Sequence, residues 1–306
     1  MYYYVYNHQH KGLPYHRAMK AAGHTANLRF ADVTLFDRDQ VMNSTQPRYQ
    51  VKEQLDRGSL IMIYPHSALP PWWYDGLVPV RDYLSCVFVI GEAHKAATDI
   101  FMPGARVEVA GWPWCKQRAF KAPNRVKRVI FAPIHTAGGL RPEAFEANRN
   151  IFRELKRVQR MMGFEVIIRH IGELEPQGLK NYRDFEFVQG AKDGATRDID
   201  KADVVIAEGT FMYLAVARGT PTIGINQHIA CRPNRNYARY TPHTWERYGH
   251  LFAYPLNYQW GDLCELIEQA TAEEQSEWRA ANIGEDMDPL GFAGMVEEIW
   301  RESKKM

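Results

Sequence analysis

Twice along this chain, short runs of apolar, often β-branched residues alternate with helical stretches, and that alternation restricts the fold more than any other feature. The first series holds YYYVY, a helix around HRAMKAAG, strands LIMIY (60–64) and CVFVI (86–90), a helix over 93–101 and the strand RVEVAGW. The second holds a strand at 128–132, a helix over 143–162, strands FEVIIRH and DFEFVQ, and then VVIAEGTFMYLAVARGTPTIGIN at 204–226. Alternation of this kind predicts parallel sheets with helices on their faces. Between the two series AGWPWCKQRAFKAPNR, rich in Pro and basic residues, reads as a crossing segment. The expected fold is therefore α/β, with two Rossmann-like domains whose parallel sheets face a cleft. The expected boundaries are 1–112, a basic linker at 113–127, a second domain at 128–285, and a C-terminal helix at 286–306 that returns to the first domain.

Within 204–226, VVIA reads as a buried parallel strand, FMYLAVARG as a short helix closed by Gly219, and TPTIGIN as the next strand. Glu208, Gly209 and Thr210 occupy the turn that leaves the first strand. In open parallel sheets ligands sit at such carboxyl ends, and the free N–H groups of a helix start suit an anion such as a diphosphate. IHTAGGLR (134–141) has the same placement: Thr136, Gly138 and Gly139 allow close backbone approach, and His135 or Arg141 adds charge. Arg169 and His170, at the end of FEVIIRH, are placed to line the same region. Each feature also has a plainer reading, HTAGG as a simple loop and Glu208 as an acid favoured by the helix dipole.

A chain of 306 residues accommodates two domains of roughly 120–180 residues. An apolar fraction of 45% with 24% charged residues is that of a globular protein, and no apolar run approaches the roughly 20 residues that span a bilayer. MYYYVYNHQHKG has neither the basic start nor the cleavage site of a signal peptide, so the expected location is the cytoplasm, a host's if the protein is viral. Cys86, Cys115, Cys231 and Cys264 are widely spaced and predict neither a zinc site nor a disulfide framework. The Asp37–Asp39 and Asp286–Asp288 pairs, and His8 with His10, offer two ligands each, too few for a metal site, and none is expected.

Net charge is only +2 but unevenly placed. Lys116, Arg118, Lys121, Arg125, Lys127 and Arg128 fall together in the crossing segment. Arg149, Arg153, Lys156, Arg157 and Arg160 share a face of the helix after it, and Arg232, Arg235, Arg239 and Arg247 cluster among Tyr237, Tyr240 and Trp245. Such clusters read either as solvated faces or as a surface for a polyanion.

The strings VIFAPIHT (129–136), VIGEAHKAATDIFMPGARVEVAGWP (89–113) and IMIYPHSALP (61–70), taken with the layout, resemble the two-Rossmann GT-B glycosyltransferases. Within that class they are most similar to CDP-glycerol glycerophosphotransferases and, more distantly, to UDP-N-acetylglucosamine 2-epimerases. The likeness covers residues 60–226 by motif and the ends by layout. It departs at Ser67, where the family has Gly, and at Glu208-Gly209-Thr210, where it has a Ser pair.

The resemblance implies a nucleotide-sugar donor, UDP-linked by first expectation, as co-substrate and no separate cofactor. His135, Thr136, Gly138, Gly139, Arg141, Arg169, Glu208, Gly209 and Thr210 would hold the donor, with Glu208 on the ribose hydroxyls. A histidine suits removal of a proton from the acceptor hydroxyl. His66 matches the family's histidine, while His8 and His10 follow the first strand where other GT-B enzymes place an acceptor loop; a structural role is open for all three. Phage GT-B enzymes glycosylate hydroxymethylated pyrimidines, which brings DNA in as a partner and acceptor, with a flipped base stacked on Trp72, Trp73 or a tyrosine. The alternatives are a glycerophosphotransferase, a sugar-nucleotide epimerase, or a nucleic-acid-binding module without catalysis. G-x-G-x-x-G after a first strand, G-x-x-x-x-G-K-[ST] and G-x-S-x-G are all missing, which disfavours a dehydrogenase, a P-loop kinase and a serine hydrolase.

Overall fold

The computed structural model describes residues 1–9, 12–37, 42–43, 46–47, 49–65, 77–133, 142–170, 185–189, 194–225, 254–258 and 262–305. The chain forms two compact units, one of Met1–Trp114, Tyr248–Phe252 and Ala280–Met306, the other of Cys115–Arg247 and Ala253–Arg279. Each is built on a parallel sheet, so the molecule is α/β with two Rossmann-like units.

The first unit carries strands β1 (Tyr2–Val5), β2 (Thr25–Ala26), β3 (Val33–Asp37), β6 (Leu60–Tyr64), β7 (Cys86–Val89) and β8 (Val107–Val109), in the order β2-β1-β3-β6-β7-β8. A short antiparallel ribbon, β4 (Met42–Asn43) with β5 (Gln46–Pro47), follows β3. Helix α1 (Leu13–Ala21) and the last helix, α9 (Pro289–Ser303), share one core with the sheet. There Tyr15 and Met19 of α1 meet Phe292, Val296 and Ile299 of α9 over Tyr3, Val5, Leu35 and Phe88. Helices α2 (Tyr49–Asp56) and α3 (Glu92–Phe101) belong to the core that contains Phe36, Ile61, Ile63, Val87 and Val89. The sheet is thus packed on both faces, which is why its strands read as unbroken apolar runs.

Strand β3 escapes the sequence reading, although all five of its residues are buried. Thr34 interrupts the apolar run and Asp37 ends it, and the Thr34 hydroxyl is accommodated: it lies 2.8 Å from that of Ser59 and donates to Gln54 Oε1 at 3.4 Å. Buried polar groups satisfied in this way cost little but break the pattern by which a strand is recognised.

The second unit carries β9 (Arg128–Phe131), β10 (Glu165–His170), β11 (Glu186–Gln189), β12 (Val204–Ala207) and β13 (Thr222–Gly224), in the order β11-β10-β9-β12-β13, all parallel. Around them lie α4 (Pro142–Met162), α5 (Ala195–Lys201), α6 (Gly209–Ala217), α7 (Leu263–Ala272) and α8 (Ser276–Asn282). Phe152 of α4 packs edge-on against Phe131 of β9, and Trp278 of α8 sits edge-on to both Tyr213 and Tyr254.

The segment after Trp112 is held against the second unit by specific bonds. Lys121 Nζ donates to the carbonyls of Ile199, Asp200 and Ala202 at 3.1, 3.0 and 2.8 Å, closing the C-terminus of α5. Gly219, at φ 68°, lies so close to this segment that an added Cβ would stand 2.1 Å from the Ala119 carbonyl oxygen.

Candidate functional site

In both sheets the chain runs outward from a starting strand in one direction, then returns and continues in the other. The order β2-β1-β3 places the reversal of the first unit between β1 and β3, and β10-β9-β12 places that of the second between β9 and β12. Ligands of doubly wound sheets bind at the carboxyl ends of such strand pairs.

In the second unit the strands at the reversal are those followed in sequence by the two glycine-containing segments. β9 and β12 are direct neighbours, with Ile130 opposite Val205 and Phe131 opposite Ile206. The pairing extends past β9, where Ala132 N donates to Ile206 O at 2.9 Å. The segments leaving the two strands therefore start side by side, although far apart in sequence. His135, Thr136, Gly138, Gly139 and Arg141 lie outside the described residues.

The Glu208 turn is described fully. Glu208 is the N-cap of α6, with extended backbone (φ −116°, ψ 169°) and no side-chain cap hydrogen bond. Its carboxylate thus makes no capping bond to the helix's own first-turn amides. Gly209 follows at φ 53°, in the left-handed region, with nothing within 4 Å of where a Cβ would stand. The chain turns there from strand to helix, and the first intrahelical bond, Met212 N to Glu208 O, is 3.3 Å long. By helix geometry the amides of Gly209, Thr210 and Phe211 have no acceptor within α6, and a left-handed residue beside a helical one makes such amides converge. Thr210 is exposed; Glu208, Gly209 and Phe211 are half-buried.

Arg169 reaches the same turn from β10. It is 4% exposed, its Nε donates to Asp198 Oδ2 of α5 at 3.1 Å, and its guanidinium carbon lies 5.0 Å from the centre of the Phe211 ring.

In the first unit His8 follows β1, at the reversal. Its half-buried ring lies 5.2 Å from that of His16 and 5.8 Å from that of Tyr4. His16 Nδ1 is 3.2 Å from the Tyr3 hydroxyl, and burial, followed by the neighbouring His8 and Lys20, holds the His16 pKa below the ordinary histidine value. Asn7, just before His8, has φ 57°, the left-handed conformation that asparagine tolerates better than most residues.

Two buried tyrosines tie this loop to the end of β6. Tyr64 donates to the Tyr6 carbonyl, and Tyr15 to that of Pro65, each at 2.7 Å. Burial, and then the Asp37 carboxylate, raises the Tyr64 pKa, so the hydroxyl stays a donor. Asp37 is itself 1% exposed at the carboxyl end of β3. Sequence reasoning offered it only as half of a metal pair; no local signal marks its burial at the strand reversal. His66, which follows Pro65, and His10 lie outside the described residues, as do Trp72 and Trp73.

Several basic residues counted toward a polyanion surface are engaged within the second unit. Arg118 pairs with Asp200, Arg128 with Glu165, and Arg157 with Glu154 and Asp262. Arg232, Arg235, Arg239 and Arg247 lie outside the described residues. Asp288 accepts hydrogen bonds from Leu290 N and Gly291 N as the N-cap of α9. Among the described residues no group of three or more metal-ligating side chains occurs, and no helix is long and apolar enough to cross a membrane.

No family model matches the sequence, and no curated protein matches it. Solved structures do. UDP-GlcNAc 2-epimerase from Methanocaldococcus jannaschii matches with a TM-score of 0.52 at 10% identity, over 98% of this chain and 99% of that one. A variant of S. aureus TarM in complex with fondaparinux, alpha-GlcNAc-glycerol and UDP matches with a TM-score of 0.51 at 9% identity, over 95% of this chain. This chain spans only 58% of the length of TarM. The wall teichoic acid polymerase TagF matches with a TM-score of 0.50 at 10% identity, over 99% of this chain and 89% of that one. The fold is therefore that of the GT-B class, two Rossmann-like units each with a parallel sheet.

Proposed function

We propose that this protein is a glycosyltransferase that moves a sugar from a nucleotide diphosphate, UDP by first choice, to an acceptor hydroxyl. The observation that carries the reading is the pairing of β9 with β12 at the reversal of the second sheet, which starts the two glycine-containing segments side by side. In this reading the amides of Gly209, Thr210 and Phe211 meet the diphosphate and Glu208 takes the ribose hydroxyls. His135, Thr136, Gly138, Gly139 and Arg141 complete the donor site from the neighbouring segment. UDP in the TarM complex and the UDP-sugar named for the epimerase support the choice of nucleotide.

The bond between the sugar's anomeric carbon and the diphosphate oxygen breaks, and a bond from that carbon to the acceptor oxygen forms. The hydroxyl proton passes to a histidine, with His66, His8 and His10 as the candidates, and the UDP anion leaves stabilised by preorganised amides. The acceptor proposal includes a hydroxymethylated pyrimidine in DNA, to which Arg118, Arg128 and Arg157, each paired with a carboxylate, lend little support.

A second reading, a sugar-nucleotide epimerase, is favoured by the match over nearly the full length of both chains to the M. jannaschii enzyme. UDP release from UDP-glucose and UDP-N-acetylglucosamine separates the two. The assay is run alone, with hydroxymethylcytosine DNA, with unmodified DNA, and with glycerol-based acceptors. Acceptor-dependent release supports transfer, and release only with the modified base supports DNA. Conversion of the sugar without any acceptor supports epimerisation, and inertness toward both donors sinks the UDP-sugar reading.

A further inference from the structure

Arg169 lies at the donor turn, yet it is turned toward protein rather than toward solvent. It is 4% exposed, its Nε is committed to Asp198 at 3.1 Å, and its guanidinium carbon sits over the Phe211 ring, 5.0 Å from the ring centre. Phe211 is the third residue of α6, and its own N–H is among the three that helix geometry leaves for a ligand. One residue therefore offers its amide to the anion and its ring to the arginine. We propose that Arg169 and Asp198 are positioning residues for the nucleotide: the carboxylate holds the guanidinium, the guanidinium braces the Phe211 ring, and the brace fixes the direction of the first-turn amides of α6. The proposal rests on the donor-site reading above and assigns to α5, through Asp198, a part in donor affinity.

The obvious rival is that Arg169 acts by charge, attracting the diphosphate directly. The two accounts predict opposite signs for one substitution. Asp198→Asn removes the carboxylate's charge and keeps its shape, and a cavity of about 200 Å³ lined by Arg169, Asp198, Ile167 and Val188, among others, adjoins the pair, so the change meets no close-packed wall. If charge is what matters, losing a negative neighbour strengthens the positive field and UDP binds more tightly. If the brace matters, the guanidinium loses its anchor and UDP binds more weakly, by about tenfold, the equivalent of one well-placed hydrogen bond. Arg169→Lys divides the accounts again, since lysine keeps the charge but has no planar group to lie over Phe211.

The experiment is calorimetric titration of the full chain with UDP, alongside amide hydrogen exchange of the peptide spanning 208–212 in the free protein. It covers wild type, Asp198→Asn, Arg169→Lys, Phe211→Leu and, as control, Arg301→Ala on α9, whose side chain is 66% exposed. The brace predicts weaker UDP binding and faster exchange at 208–212 in the first three variants, with the control unchanged. UDP affinity equal to or above wild type in Asp198→Asn, with exchange at 208–212 unaltered, overturns it, as does a fall in melting temperature alone. Faster exchange in the variants of a wild-type protein that does not bind UDP leaves the brace standing and removes the donor reading.

Discussion

His94 shows what a single buried group does to the pH range of this protein. It is fully buried on α3, and burial lowers its pKa from 6.5 to about 3, only partly offset by a hydrogen bond that the ring donates to the Asn282 backbone carbonyl. The folded protein keeps the ring neutral where the unfolded chain already binds a proton, so His94 costs stability progressively as pH falls from 6.5 toward 3. The slope is about 1.4 kcal/mol per pH unit in that window and vanishes above it. A His94→Gln variant is expected to be less stable than wild type near pH 7.5 but to lose less on acidification. Melts from pH 7.5 to 4 check this, and parallel curves would refute it. Gly12 gives a second residue-scale prediction. A Cβ there would stand 2.7 Å from both the Tyr6 carbonyl oxygen and Val5 Cγ1 and 3.0 Å from the Tyr64 hydroxyl. Gly12→Ala is expected to cost about 1–3 kcal/mol by overpacking, read from urea unfolding.

At the scale of elements, α6 is bounded by two left-handed glycines with different consequences. Gly209 opens it at φ 53° with open space around it, and Gly219 follows it at φ 68° against the Ala119 carbonyl. Gly209→Ala therefore meets only the backbone penalty, about 1–2 kcal/mol, and is expected to weaken UDP binding because it redirects the turn. Gly219→Ala adds a clash with the segment after Trp112 and is expected to cost more stability. Urea unfolding of both variants, with UDP titration of the first, checks the pair; equal losses would show that the segment yields. LIMIY, CVFVI and VVIA were the most legible strands because they carry no polar residue on either face. β3 was not legible because Thr34 and Asp37 are buried polar residues, and Thr34 finds its partners, Ser59 and Gln54, only elsewhere in the chain. The turn at Glu208 was legible from its place after a strand, whereas the Arg169–Asp198 pair joins residues on separate elements and leaves no local pattern.

For the whole molecule the C-terminal helix decides integrity. α9 supplies Phe292, Val296 and Ile299 to the first unit's core, each nearly or fully buried. Removing residues 289–306 would forfeit roughly 1.5–3 kcal/mol for each large side chain, in all a large share of what a domain has to spare. The truncated chain is expected to lose the cooperative unfolding of the first unit, seen as a lost or broadened calorimetric transition; an unchanged transition would sink this account. What the sequence determined by itself is local: which stretches are strands, where turns leave them, and that strand and helix alternate twice, because side-chain periodicity and glycine conformations act within a few residues. The tertiary structure alone decided that β9 lies beside β12 and β1 beside β3, and hence which strand ends are neighbours. Parallel strands bond only after long crossovers bring them together, so their order is set by packing across the sheet and not by any residue's neighbours in the chain.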